Sequence, residues 1–121
     1  QSIKQSGDAE KVLVIGDLNA YAEEDPIDLL RDAGLVDLLQ RHQQNEQTYS
    51  FVYKGRSGCL DHAFATTELA GNVVGAAVWH INADEPRCLD YNLEYNPESF
   101  YRPDPFRSSD HDPMLIGIRF E

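Results

Sequence analysis

A chain of 121 residues, 41% of them hydrophobic and 10% aromatic, is long enough to bury one core and too short for two. Acidic residues outnumber basic ones 21 to 10, for a formal charge of −11, and no Lys/Arg run marks a surface for phosphate backbones. A phosphate ester would be met only if divalent cations held by the carboxylates offset that repulsion.

No apolar stretch reaches 18 residues and no signal or lipidation motif is present, so the chain is expected neither to span nor to anchor to a membrane. It has no methionine before Met114 and opens QSIKQSGDAEK, which reads as a piece cut from something longer, with residues 1–10 a linker remnant and 11–121 the folded unit. Cys59 and Cys88 lack metal-ligand spacing, and two free thiols are the simpler reading than a disulfide.

KVLVIG at 11–16 is a short apolar run rich in β-branched residues, as in a strand buried on both faces, and Gly16 then permits a sharp turn. Pro26 opens a helix whose apolar side carries Ile27, Leu29, Leu30 and Ala33 before Gly34 ends it, and a short helical turn, VDLLQR, follows. TYSFVY and CLDHAFAT, separated by KGRSG, predict a hairpin. Strands are also expected over 72–81 and 114–120. The first of these places Val73, Ala77 and Trp79 on one face and Val74, Ala76 and Val78 on the other, as in a strand covered on both sides. The long connection 82–107 holds four of the six prolines and five aromatics, and is expected to be ordered at least in part, with Tyr91, Phe100 or Phe106 packing against the sheet.

Asp17 and Asn19 lie just past the first strand, where open α/β sheets place their sites, although Asp-x-Asn there also makes an Asx-turn or a helix cap. An EF-hand loop is excluded because the sixth position is Ala22 and the twelfth Asp28. Asp61 sits among apolar neighbours in CLDHAFAT and needs a partner. A histidine would serve, since a carboxylate bonded to one ring nitrogen frees the other for proton transfer, and His111 and His62 are both candidates. Asp110, His111 and Asp112 precede Pro113 at the final strand, whereas His42 and His80 have no such context. No nucleophile elbow and no HExxH spacing supports a serine or zinc hydrolase.

GDLN, TYSF, LDH and SDHDP, in that order, resemble the C-terminal half of the endonuclease/exonuclease/phosphatase superfamily, the fold of deoxyribonuclease I and the abasic-site endonucleases. GDLNAYAEEDP, INADEP, LDYN and FRSSDHDP look like its large secreted bacterial nuclease branch, and the likeness runs from Lys11 to Phe120. It implies an α/β (α+β) chain, the C-terminal half of a four-layer αββα sandwich, with one mostly antiparallel sheet and a helix layer. It also implies a metal-dependent phosphodiester hydrolase using Mg²⁺, with Ca²⁺ or Mn²⁺ as alternatives, acting on nucleic acid outside the cytoplasm, extracellular or periplasmic.

By the same resemblance Asp17 orients or deprotonates the attacking water and contacts metal, Asn19 donates to the phosphate or positions that water, and Asp110 contacts metal or the nucleophile. His111 donates to a nonbridging oxygen or serves as the general base, with Asp61 holding its ring. Separately from the resemblance, Arg107 in the long connection is expected to face a substrate phosphate, the alternative being a pairing with nearby acids. The family's N-terminal half has no counterpart here, so the isolated chain is expected to be nearly inactive and to pair through its uncovered sheet face as a homodimer. A phosphatase of the same fold acting on lipid or nucleotide phosphates, and a noncatalytic interaction module, are the competing readings.

Overall fold

The computed structural model describes residues 11–43, 48–89, 91 and 94–120; the expected linker 1–10 lies outside them. Every ladder is antiparallel, giving the expected α+β class. Backbone pairing divides the strands into a three-stranded sheet and two two-stranded ladders instead of one continuous sheet.

The three-stranded sheet is built around the strand from the LDH motif. β1 (Leu13–Asp17) and β2 (Val36–Asp37) flank β5 (Asp61–Ala65), all five of whose residues are buried. Alternation along β5 packs one apolar cluster on each face of the same sheet. Phe64 packs with Ile27 and Ala20 on one side, while Ala63 and Ala65 join Leu38, Leu39, Leu69, Val73, Ala76 and Val78 on the other. Full burial of Phe64 and Ile27 contributes about 1.5–3 kcal/mol each.

α1 (Asp25–Asp32) starts as expected, with proline in its first turn, Asp25 and Asp28 at its positive end and Arg31 at its negative end. Gly34, at φ 83°, carries the chain away from it. α2 (Leu38–His42) is capped by Asp37, whose carboxylate accepts from Gln40 N–H. The short α3 (Thr67–Ala70) leads into β6 (Val73–Val78), which pairs with β7 (Met114–Ile118).

Three expectations are corrected. TYSFVY does not pair with CLDHAFAT: β3 (Phe51–Tyr53) turns at once through Lys54 and Gly55, at φ 49° and 78°, and pairs with β4 (Arg56–Gly58). Two consecutive positive φ values make the tight turn that suits strand twist, so the return strand forms inside KGRSG and β5 is released to β1.

In β6 a register shift between Val73 and Gly75 inserts an extra residue. Val73 therefore falls on the buried side with Ala76 and Val78, leaving Val74, Ala77 and Trp79 exposed, so the strand is covered on one side only. In the connection 82–107 a 3₁₀ turn forms at Glu98–Phe100, but Tyr91, Phe100 and Phe106 remain about half exposed instead of packing on the sheet.

Candidate active site

One edge of the β1–β5 ladder gathers the acidic motifs. Asp17 ends β1 and Asp61 begins β5, and the two are direct cross-strand partners. Like charges so placed repel, so the pair requires a cation or a donor nearby. His111 supplies one: its backbone bridges to Phe51, and ligand atoms of Asp17, Asp61 and His111 all lie within 4.8 Å of one another.

Asp17 Oδ1 accepts from the Asn19 backbone N–H at 2.8 Å, and Oδ2 from Asn19 Nδ2 at 3.3 Å. This is an Asx-turn, with Asn19 in the left-handed region at φ 50°, where asparagine is tolerated. The turn and the site are thus one feature, because the bond that shapes the loop also orients the Asp17 carboxylate.

Asp61 is held from two sides. Ser50, fully buried, donates its hydroxyl to Asp61 Oδ2 at 2.6 Å and accepts from Leu60 and Asp61 N–H. The same Oδ2 lies 2.7 Å from His111 Nδ1, so the proton sits on Nδ1 and Nε2 is left to act. His62, the other candidate partner, points away and bonds the Ala20 carbonyl at 2.7 Å. Burial by itself would lower the His111 pKa. The hydrogen bond to Asp61 and the charges of Asp61, Asp17 and Asp110 outweigh it and leave the imidazole above its ordinary 6.5. Asp110 is thus close enough to act on His111 electrostatically, but it stands outside the tight cluster.

The residue after the histidine faces inward and does different work. Asp112 is buried: Oδ1 accepts from the N–H groups of Ile81, Asn82 and Ala83, and Oδ2 lies 2.8 Å from His80 Nδ1. Its own N–H donates to the Ser50 carbonyl, while Asn82 Nδ2 donates to the His111 carbonyl at 2.7 Å. Ser50, Asn82 and Asp112 therefore tie the INADEP and SDHDP segments to the strand that holds Asp61. None of the three is evident from motif spacing. A buried carboxylate does demand several donors, and alternation in an extended chain turns Asp112 away from the face of His111; these are the signals that point to it.

His80, which the sequence left without context, has a buried carboxylate partner. Arg107, expected at the substrate, is instead buried at φ 55° with a guanidinium nitrogen donating to the Asn82 carbonyl, so it braces the loop. Cys59 and Cys88 are both free, and burial pushes the Cys59 thiol up to about 11, which keeps it protonated.

The clustered carboxylates at this open edge suit a hard divalent cation that keeps several waters or phosphate oxygens, while the imidazole is engaged with Asp61. A sequence model of the endonuclease/exonuclease/phosphatase family matches residues 3–111, and the chain belongs to that family. Its enzymes are generally hydrolases of phosphodiester or phosphomonoester bonds that depend on a divalent metal. Neither a curated protein nor a solved structure matches the chain.

Proposed function

We propose that this member of the endonuclease/exonuclease/phosphatase family is a metal-dependent nuclease that hydrolyses phosphodiester bonds of nucleic acid, acting outside the cytoplasm. The observation that carries the chemistry is the convergence of Asp17, Asp61 and His111 within 4.8 Å at one sheet edge, with Asn19 bonded to Asp17. Its placement as a secreted nuclease rests on the likeness of GDLNAYAEEDP, INADEP and FRSSDHDP to that branch.

Asp17 is exposed and fixed by Asn19, which suits it to orient or deprotonate a water aimed at phosphorus. Asp61 fixes the His111 ring and, with the neighbouring acids, favours its protonated form, so it donates to a nonbridging oxygen where negative charge grows. Asn19 is placed to position the water or the phosphate. Asp17 and Asp110 would hold Mg²⁺, which when bound neutralises phosphate charge and assists the leaving oxygen.

In the full-length protein, His111→Ala should lower Mg²⁺-dependent DNA hydrolysis by about 10²-fold or more, with Asp61→Asn less damaging. Unchanged turnover in the His111 variant would remove it from the mechanism. Faster turnover of phosphomonoesters than of diesters would turn the reading to a phosphatase.

A further inference from the structure

Residues 49–53 send alternate side chains to opposite sides. Ser50 turns inward to Asp61, whereas Phe51 and Tyr53 share the other face of β3 and Tyr49 continues their alternation. The Phe51 and Tyr53 rings are 6.4 Å apart and nearly parallel at 11°, and Phe51 lies 4.8 Å from the His111 ring. Tyr49 stacks on His80 at 4.2 Å and 16°. A row of π-faces therefore runs along one strand past the imidazole of the reaction centre.

We propose that this row, Tyr49–His80 and Tyr53–Phe51 on either side of His111, is the binding track for a single-stranded nucleic acid. Bases stack on Tyr53 and its neighbours while the backbone passes His111. The assignment rests on the nuclease reading and names its substrate form.

Three features carry it. The track is joined to the site by backbone, through the Phe51–His111 bridge, so a base resting on Tyr53 has its phosphate placed by the same strand. It is also rigid before any ligand arrives. The Tyr49 hydroxyl donates to Asp84 at 2.7 Å, and that bond raises its pKa to about 12; His80 is held by Asp112, and the Lys54–Gly55 turn fixes the hairpin. Little conformational entropy then remains to be lost on binding.

Finally, the scarce positive charge is in the right place. In a chain with a formal charge of −11, exposed Lys54 sits 5.2 Å over the Tyr53 ring, and exposed Arg56 is the cross-strand partner of Tyr53. Tyr53, 52% exposed, contributes nothing to either core, yet its ring is aligned with Phe51. Aromatic faces flanked by cations hold unpaired bases and phosphates together, whereas a duplex offers such rings no free base face.

The test is fluorescence anisotropy of a fluorescein-labelled twelve-residue phosphorothioate oligothymidylate, a backbone that resists cleavage, binding to the full-length protein with Mg²⁺ present. Tyr53→Ala should weaken binding by roughly 5- to 150-fold. Tyr53→Phe should restore it, and Tyr95→Ala, a control at another exposed tyrosine, should bind as wild type. The double variant Lys54→Ala, Arg56→Ala should reduce the salt dependence of log K by about 0.7 for each phosphate it no longer neutralises. No binding by wild type, wild-type affinity in Tyr53→Ala, or a duplex or anionic phospholipid vesicle bound as tightly as the single strand would overturn the track. None of these outcomes alters the hydrolysis expected of His111, so the two readings fail separately.

Discussion

Replacing Asp112 by alanine tests whether the inner carboxylate, as distinct from the motif histidine, holds the site edge together. Alanine removes the acceptor of three backbone N–H groups and of His80 from a wholly buried position. The Ile81 N–H keeps a second partner, the Trp79 carbonyl, and half-exposed His80 can turn to water. Asn82 and Ala83 have no such recourse through these N–H groups. Two orphaned buried donors cost about 1–3 kcal/mol each, hence about 2–6 kcal/mol together. Relief from burying a charge offsets part of this, which favours the lower half of the range. A loss of about 2–4 kcal/mol is a large share of the roughly 5–15 kcal/mol typical of a domain. Asp112→Asn keeps a neutral acceptor for the same N–H groups and should lose about half as much. Urea unfolding of both variants against wild type measures the difference. A loss below about 1 kcal/mol in Asp112→Ala would refute the reasoning, since the Asn82 and Ala83 N–H groups would then have found other partners.

Two other outcomes are expected. In metal-free protein the His111 imidazole should titrate above 6.5 by NMR, so its contribution to stability is fully present below pH about 6.5 and is lost as pH rises through the higher folded value. Asp61→Asn removes the largest raising influences while burial remains, so the midpoint should fall below that of wild type; an unmoved midpoint would assign the shift to something else. The outer face of the β6–β7 ladder exposes Val74 and Leu115, at 57% and 52%, with Val74 lying over Gly117 and Ala77 beside Leu115. An apolar face of this kind should drive self-association at micromolar concentration, and Val74→Glu with Leu115→Glu should abolish it by light scattering. A wild-type monomer would show that the face is too small to matter.

What could be read in advance, and what could not, divides by the range of the interaction that decides it. The helix at 25–32 was legible because its determinants are its own: a proline at the start, acids in the first turn and a glycine beyond the end. The hairpin at 51–58 was legible in kind but not in partner. Whether KGRSG is a wide loop or a two-residue turn depends on Lys54 accepting φ 49°, and the consequence, β5 freed to pair with β1, is a pairing nearly fifty residues away in sequence. The bulge in β6 is similar. Val73-Val74-Gly75 alternates well enough as a regular strand, and only pairing with Gly117 and Ile118 shows that one residue is extra and that the covered face has changed.

The site follows the same logic. Asp17, Asn19, Asp61 and His111 stand in motifs, but residue types alone left His62 beside His111 as a partner for Asp61; only the family resemblance favoured His111, and in the structure His62 bonds the Ala20 carbonyl while His111 bonds Asp61. In Asp-His-Asp, charge alone gives the two acids equal claims on the chemistry. Position separates them: Asp110 stays near the surface where its charge reaches His111, and Asp112, one step past the histidine in an extended chain, is forced inside, where a carboxylate persists only if backbone N–H groups are folded around it. Residues 81–83 supply those groups, so the INADEP segment is shaped around Asp112 as much as around any ligand. A site histidine held from its own carbonyl by Asn82, and through the next residue by Ser50, keeps its angle to Asp61.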